Sequence, residues 1–317
     1  MNLARIPLFD ELNDSQRILI AGAGGGFDVF GGLPLYFALQ QQGKQVFLAN
    51  LSFSDLSEVT GRRLSPATLL VNADSTGKEY YFPEKYLCEW FRLRGEEVEI
   101  CCFHRVGVIP VQKGYERLCR EWQIDTIILA DGGTDSLMRG DEAGLGTPQE
   151  DMVSIAAVHA LELTKTFLVC TAFGVDSFHG VNHAQYLEAV SALSKTGDFL
   201  GAFSYMNEME EVQRYQEAYQ YVEKQMPTYP SIVSNSIISA VNGEYGDYHA
   251  TSRTRGSTLW INSLMNMYWG FRLAGVANRC LYLDQIASTQ EYRQVSKRIA
   301  AFRASCHSIK FWEHIPV

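Results

Sequence analysis

The sequence predicts an α/β protein: a Rossmann-like, doubly wound, mostly parallel sheet with helices on both faces and a C-terminal, mainly helical elaboration. Three observations predict it. Short apolar runs without polar alternation recur through the first two-thirds of the chain, segments with apolar residues at helical spacing lie between them, and a glycine-rich turn joins the first run to the first helix. Strands covered on both faces read as unbroken apolar runs, and strand–helix alternation implies right-handed crossovers.

The predicted strands are 17–21 (RILIA), 45–49 (QVFLA), 98–102 (VEICC), 126–130 (TIILA) and 166–171 (TFLVCT), with a further one at 199–204. Helices are expected over 29–42, 84–93, 113–122 and 149–163. In the last third, 207–225 forms an amphipathic helix rich in Tyr and Glu that ends at Met226-Pro227, because a residue before proline is pushed out of the helical region. A shorter helix at 231–241 follows, then a Gly/Tyr/Arg-rich stretch at 242–257 and an apolar run at 258–273. Trp260, Tyr268 and Trp269 lie in that run and are expected to pack the core. A strand-like segment at 279–283 and a final helix at 289–305 complete the chain. Pro227 to Pro230 is too short a break to act as a linker, so a single domain is expected, with its core over about 15–205 and the elaboration over about 206–317.

Composition narrows the function. Asp and Glu number 36 against 27 Lys and Arg, giving a net charge of −9 that disfavours general binding to nucleic acid or acidic membranes. No stretch reads as a signal peptide or a spanning helix, so a cytoplasmic location without a membrane partner is expected. The seven cysteines are odd in number and scattered without a CxxC, which suits buried small hydrophobes better than a disulfide framework or a zinc knuckle. A homo-oligomer is compatible with all of this.

The turn after the first strand carries Gly22, Gly24, Gly25 and Gly26, which let a ligand approach the main chain, and the helix that follows offers amides to an anion. Gly22-x-Gly24 matches the first half of a dinucleotide fingerprint, but the third glycine falls on Phe27. Asp28 stands at the helix start, and the second strand ends in Asn50-Leu-Ser where an acid would take ribose hydroxyls. There is no GxxxxGK[ST]. A nucleoside or nucleotide is therefore the expected ligand, ahead of NAD.

Two further strands run into acid-bearing turns: the fourth into Asp131-Gly-Gly-Thr-Asp135, the fifth through Gly174 to Asp176. In a doubly wound sheet the carboxyl ends of the strands face one ligand crevice, so Asp28, Asp131, Asp135 and Asp176 converge at one edge. Clustered carboxylates need a cation, a hydroxyl-rich ligand or raised pKa values. The expected arrangement has Asp28, Asp131 and Asp135 holding Mg²⁺ or Ca²⁺, with Asp131, Asp135, Asp176 and His179 as the catalytic groups. His179 and His183 stand four residues apart without the Glu of HExxH, so a transition-metal site is not expected. Arg253 and Arg255, near His249, offer a clamp for a phosphate or carboxylate, and Arg139 with Asp141 and Glu142 forms another polar cluster. Together these features predict an enzyme acting on a nucleoside or nucleotide, a hydrolase of an N-glycosidic or phosphate bond. The alternatives are a non-catalytic sensor of such a ligand, signalling through the Tyr-rich helix, and an oxidoreductase with an atypical nicotinamide site.

The segments 22–34 (GAGGGFDVFGGLP), 131–151 (DGGTDSLMRGDEAGLGTPQED) and 173–180 (FGVDSFHG) resemble the prokaryotic domain of unknown function 1152. That resemblance implies a GGGDV-type turn, a later GGD segment leading to a P-x-x-D helix, and a G-x-D-G-type turn on a Rossmann-like fold, without a settled reaction. Phe27 interrupts the glycine run, and Ser177-Phe178-His179 replaces a more compact turn. The motif matches fall on Asp28, Asp131, Asp135, Asp151 and Asp176.

Overall fold

The computed structural model describes residues 5–163, 165–257 and 259–311, without the side chain of Phe178. Thr258, the start of the apolar run, and the end of the expected elaboration at 312–317 lie outside the described residues. Nine strands form one sheet: β1 (Arg17–Gly22), β2 (Gln45–Leu51), β3 (Arg62–Ser65), β4 (Thr68–Val71), β5 (Ile100–Phe103), β6 (Thr126–Asp131), β7 (Lys165–Cys170), β8 (Phe199–Ser204) and β9 (Met267–Arg272). The helices are α1 (Pro7–Glu11), α2 (Asp28–Gly31), α3 (Leu33–Gln41), α4 (Pro83–Arg92), α5 (Val108–Trp122) and α6 (Pro148–His159). They continue with α7 (His183–Thr196), α8 (Glu210–Gln225), α9 (Ile232–Val241), α10 (Leu273–Arg279), α11 (Leu283–Ile286) and α12 (Tyr292–Ser305).

The sheet order is β3-β4-β5-β2-β1-β6-β7-β9-β8, and the central five, β5-β2-β1-β6-β7, are all parallel. The hairpin β3–β4 pairs antiparallel on one edge, and β9 inserts antiparallel between β7 and β8 on the other. This is the predicted Rossmann-like sheet, and its strand order reverses between β1 and β6. That reversal opens the crevice in which doubly wound proteins bind ligands.

Alternation along each central strand feeds two separate cores. Ile18, Ile20, Ile128 and Val169 face one layer with α3, α4, α8 and α9, whereas Leu19, Ala21, Ile127 and Leu168 face the layer of α5, α6, α7, α10 and α12. Neither face has a polar side, which is why the strands read as continuous apolar runs. Helix α6 is buried on nearly every side from Pro148 to Val158, as a helix packed between a sheet and an outer layer must be.

The structure corrects three elements of the sequence reading. The segment 279–283 is not a strand: it closes α10, turns at Cys280 and enters α11. Strand β9 lies in the run read only as apolar, so the C-terminal third contributes a strand to the sheet as well as helices. Tyr268 and Trp269 pack inside, but Trp260 is exposed. The Tyr-rich helix α8 lies on α3 and α4 with Tyr215 and Tyr219 in the core. Among the described residues no helix is long and apolar enough to cross a membrane.

Candidate functional site

Four turns at the carboxyl edge of β1, β6 and β7 bring five carboxyl groups together. Asp28 begins α2 after β1, Asp131 ends β6, and Asp135 opens the 3-10 turn that follows. Asp151 lies in the first turn of α6, and Asp176 in the turn after β7. All are buried except Asp28, which is partly buried. Oxygens of Asp28, Asp131 and Asp151 lie within 4.8 Å of one another. Opposed oxygen ligands span about 4.2 Å around Mg²⁺ and about 5 Å around Ca²⁺, so the trio has the reach of one cation.

Glycines make this convergence possible. A Cβ on Gly24 would stand 2.5 Å from Asp151 Oδ1 and 2.8 Å from Asp28 Oδ2, and one on Gly132 would stand 2.6 Å from Asp28 Oδ1. A Cβ on Gly133 would meet Asp176 Oδ2 at 2.5 Å, so the carboxylates occupy the volume that side chains would fill. The turn is tied down from three sides. Ala23 N–H donates to Ala130 O at 2.9 Å, Ser154 Oγ donates to Ala23 O at 2.7 Å, and Asn50 Nδ2 donates to Gly26 O at 2.8 Å.

Each acid is held differently. Gly24 N–H donates to Asp28 Oδ2 at 2.6 Å, so Asp28 caps the glycine turn rather than its own helix. Asp131 accepts Gly133 N–H at 2.7 Å and both the N–H and the hydroxyl of Ser136. Asp176 Oδ2 accepts Thr134 N–H at 2.5 Å and its hydroxyl at 3.1 Å. Asp135 Oδ2 accepts Thr147 N–H at 2.8 Å and Oγ1 at 3.2 Å, so this residue, expected among the cation ligands, turns toward its own loop and Asp151 takes the third position. Asp151 is 1% exposed, and its Oδ1 has no hydrogen-bond partner.

An acceptor buried without a donor is costly, and five carboxylates in one dry rim repel. Burial pushes Asp131 up to about 7, and the charge of Asp135 adds to it. Asp28, Asp151 and Asp176 are raised well above the ordinary carboxylate value, first by burial and then by one another's charge and that of Asp131 and Asp135. Asp135 is also raised by burial, and its hydrogen bonds from Thr147 and the nearby His179 hold it back.

The other candidate residues are more dispersed. His179 ends the 3-10 turn after β7, is exposed, and sits close enough for its charge to act on Asp135, whereas His183 opens α7, so the two do not share a helix face. Arg253 donates to Pro230 O at 2.8 Å, and its charge reaches Tyr81 rather than the acids; Arg255 is exposed beyond that turn. Arg139 pairs with Asp141 at 2.5 Å while Glu142 accepts the N–H groups of Arg139 and Gly140, so this cluster braces its own loop. Where a dinucleotide fold places an acid for the ribose, Asn50 is buried and bound to Gly26 O and Glu84.

Sequence reasoning missed the groove beside the glycine turn. It has a volume of about 460 Å³ and is lined by Phe53, Tyr80, Tyr81, His104, Arg105 and Tyr229 among others. These residues come from four loops, and only their glycine neighbours carried a signal. A larger hollow of about 570 Å³ includes Arg17, Gln45 and Val46, the start of β1 and β2, and so opens at the edge away from the acids.

Comparison with curated proteins and with solved structures gives no match. The family model described as protein of unknown function (DUF1152) matches residues 19–305, from the first strand through the last helix. The chain belongs to the DUF1152 family.

Proposed function

We propose that the protein is a divalent-cation-dependent hydrolase of a nucleoside or nucleotide, cleaving an N-glycosidic or phosphate bond at the acid cluster. One observation carries this reading: the unpartnered, buried Asp151 Oδ1 stands with oxygens of Asp28 and Asp131 within one cation's reach, at the carboxyl edge of the parallel strands. Structural acids that merely cap turns find their donors locally; Asp151 Oδ1 has none. Mg²⁺ or Ca²⁺ is the cation expected of an all-oxygen site, and it would supply charge neutralisation and an acidified water.

The chain's own groups divide the remaining work. Asp28, Asp131 and Asp151 hold the cation, and the backbone of Gly24, Gly25 and Gly26 lets the substrate lie close. Asp135 accepts the proton of the attacking water as its oxygen bonds to phosphorus or to the anomeric carbon and the scissile bond breaks. Asp176, whose carboxyl burial raises well above the ordinary value, donates a proton to the leaving group, with exposed His179 exchanging protons with solvent. The dinucleotide reading is less well supported, because Gly24 N–H is already taken by Asp28 and no acid stands at Asn50.

The test is a panel of nucleosides and nucleoside phosphates incubated with Mg²⁺ or Ca²⁺, with free base and inorganic phosphate measured. Release of either product, abolished by chelator and by Asp151→Asn, is expected. Tight binding of a panel member at equal affinity with and without chelator, and without product, would instead identify a sensor.

A further inference from the structure

The groove beside the glycine turn is a separate structure from the acid cluster, yet the two share a wall. The acids crowd Gly24, and the next two residues lie under Phe53 and beside Tyr81, two of the rings that line the groove. A Cβ on Gly25 would collide with the ring of Phe53, and one on Gly26 would stand 3.2 Å from Tyr81 Oη and 3.3 Å from Phe53 Cδ2. Gly25 and Gly26 have φ of +96° and +63°, so their left-handed backbone admits no side chain cheaply and keeps this wall thin. Consecutive Cα atoms are about 3.8 Å apart, so the groove begins within one nucleotide unit of the cation trio.

The lining has the chemistry of a ring-binding site. Phe53 is 38% exposed, and the Arg105 guanidinium lies 5.0 Å from its centroid. Tyr229 packs on Tyr80 and Tyr81, with ring centroids 6.1 and 5.6 Å away. Arg105 is held by rings, at 5.9 Å from Tyr292 on its other contact, and among the described residues it forms no ion pair. Its charge acts on Tyr81 and Glu150, so it faces the space between the groove and the cluster. An arginine stacked on an aromatic ring and without an ion pair among the described residues suits a phosphate or a π-face. The volume falls in the range of small-ligand sites.

We propose that this groove takes the base of a nucleotide, with the Tyr80 ring, 63% exposed, as the stacking platform and Arg105, stacked on Phe53, beside the phosphate that spans the glycine turn to the acids. This inference rests on the nucleotide-hydrolase reading and specifies its substrate class: a nucleoside phosphate held by its base, rather than any sugar phosphate.

Equilibrium binding of AMP, GMP, CMP and UMP, each against ribose 5-phosphate, tests it by calorimetry on the full chain in Ca²⁺, with Mn²⁺ binding measured on separate Ca²⁺-free samples of the same protein. Base–aromatic stacking corresponds to about 5- to 150-fold in affinity. The tightest mononucleotide is expected to bind at least about fivefold better than ribose 5-phosphate. Tyr80→Ala should erase that advantage while leaving ribose 5-phosphate and Mn²⁺ binding unchanged, and Tyr80→Trp should restore it. Equal affinity for mononucleotides and ribose 5-phosphate, no binding of either, or an advantage untouched in Tyr80→Ala would overturn the proposal. If Mn²⁺ binding persists and is lost in Asp151→Asn, that failure is confined to the groove; if wild-type protein binds no Mn²⁺, the cation reading itself has failed.

Discussion

Removing one charge from the acid cluster should change how stability depends on pH, and by an amount the structure sets. Asp131 is 3% exposed, with a native pKa of about 7 against an ordinary value of 3.8. Because the native value is raised, folded protein keeps a proton that unfolded chain has released. The stability present below the unfolded value is lost as pH rises through about 7. Between pH 5 and pH 8 this one group costs on the order of 2 to 3 kcal/mol, at about 1.4 kcal/mol per pH unit where the two states differ by a full proton. A chain of 317 residues has an unfolding entropy of about 0.7 kcal/mol per degree, so the thermal midpoint should fall by about 4 °C from this source. His104 works the other way, since burial lowers its pKa, and comparing variants removes such background. In chelator, the fall in Tm from pH 5 to pH 8 should be about 4 °C smaller for Asp131→Asn than for wild type. Added Mg²⁺ or Ca²⁺ at about 100 times its Kd should return about 2.7 kcal/mol at pH 8 and less at pH 5, where protons compete. Identical pH profiles for the two proteins, or a cation shift of equal size at both pH values, would refute the account of a charged, cation-seeking cluster.

Three more outcomes follow from particular contacts. Gly24→Ala places a methyl against Asp151 Oδ1 and Asp28 Oδ2, so it should abolish cation-dependent turnover while far-UV circular dichroism stays unchanged. Asn50→Ala leaves Gly26 O and Glu84 Oε1 without their buried donor and should lower stability by about 3 kcal/mol, or about 4 °C in Tm, measured by calorimetry. Asp135→Asn keeps its hydrogen bonds from Thr147 but removes the proton acceptor, so it should depress kcat by a factor of about 10² to 10⁴ while Mn²⁺ affinity falls far less.

The central sheet was legible because each parallel strand is buried on both faces, so β1, β2, β5, β6 and β7 stand out as apolar runs whatever their neighbours do. The hairpin was not. β3 is four residues, RRLS, half of it exposed, and it pairs only with β4 on an edge. β9 was hidden because its aromatic residues suit a core helix as well as a strand, and only its position between β7 and β8 decides the matter. The segment 279–283 misled because its residues favour strands locally while the packing of α10 on α6 and β7 keeps them helical and then turning.

For the site, chain position sufficed to bring Asp28, Asp131 and Asp176 to one edge, since strand ends in a wound sheet share a rim. Side-chain direction did not follow from spacing. Asp135 closes its own loop onto Thr147, and Asp151 reaches back from α6 to take the place beside Asp28 and Asp131. Phe53, Tyr81, Arg105 and Tyr229 come from separate loops with no shared period, so only the folded chain gathers them.

Titrating Mn²⁺ into the protein, followed by its electron paramagnetic resonance signal, reads the cation site without any assumption about substrate. The account predicts saturable binding of one ion per chain in wild type and its loss in Asp151→Asn. A wild type that leaves Mn²⁺ free in solution, or an Asp151→Asn protein that binds it just as well, would contradict it.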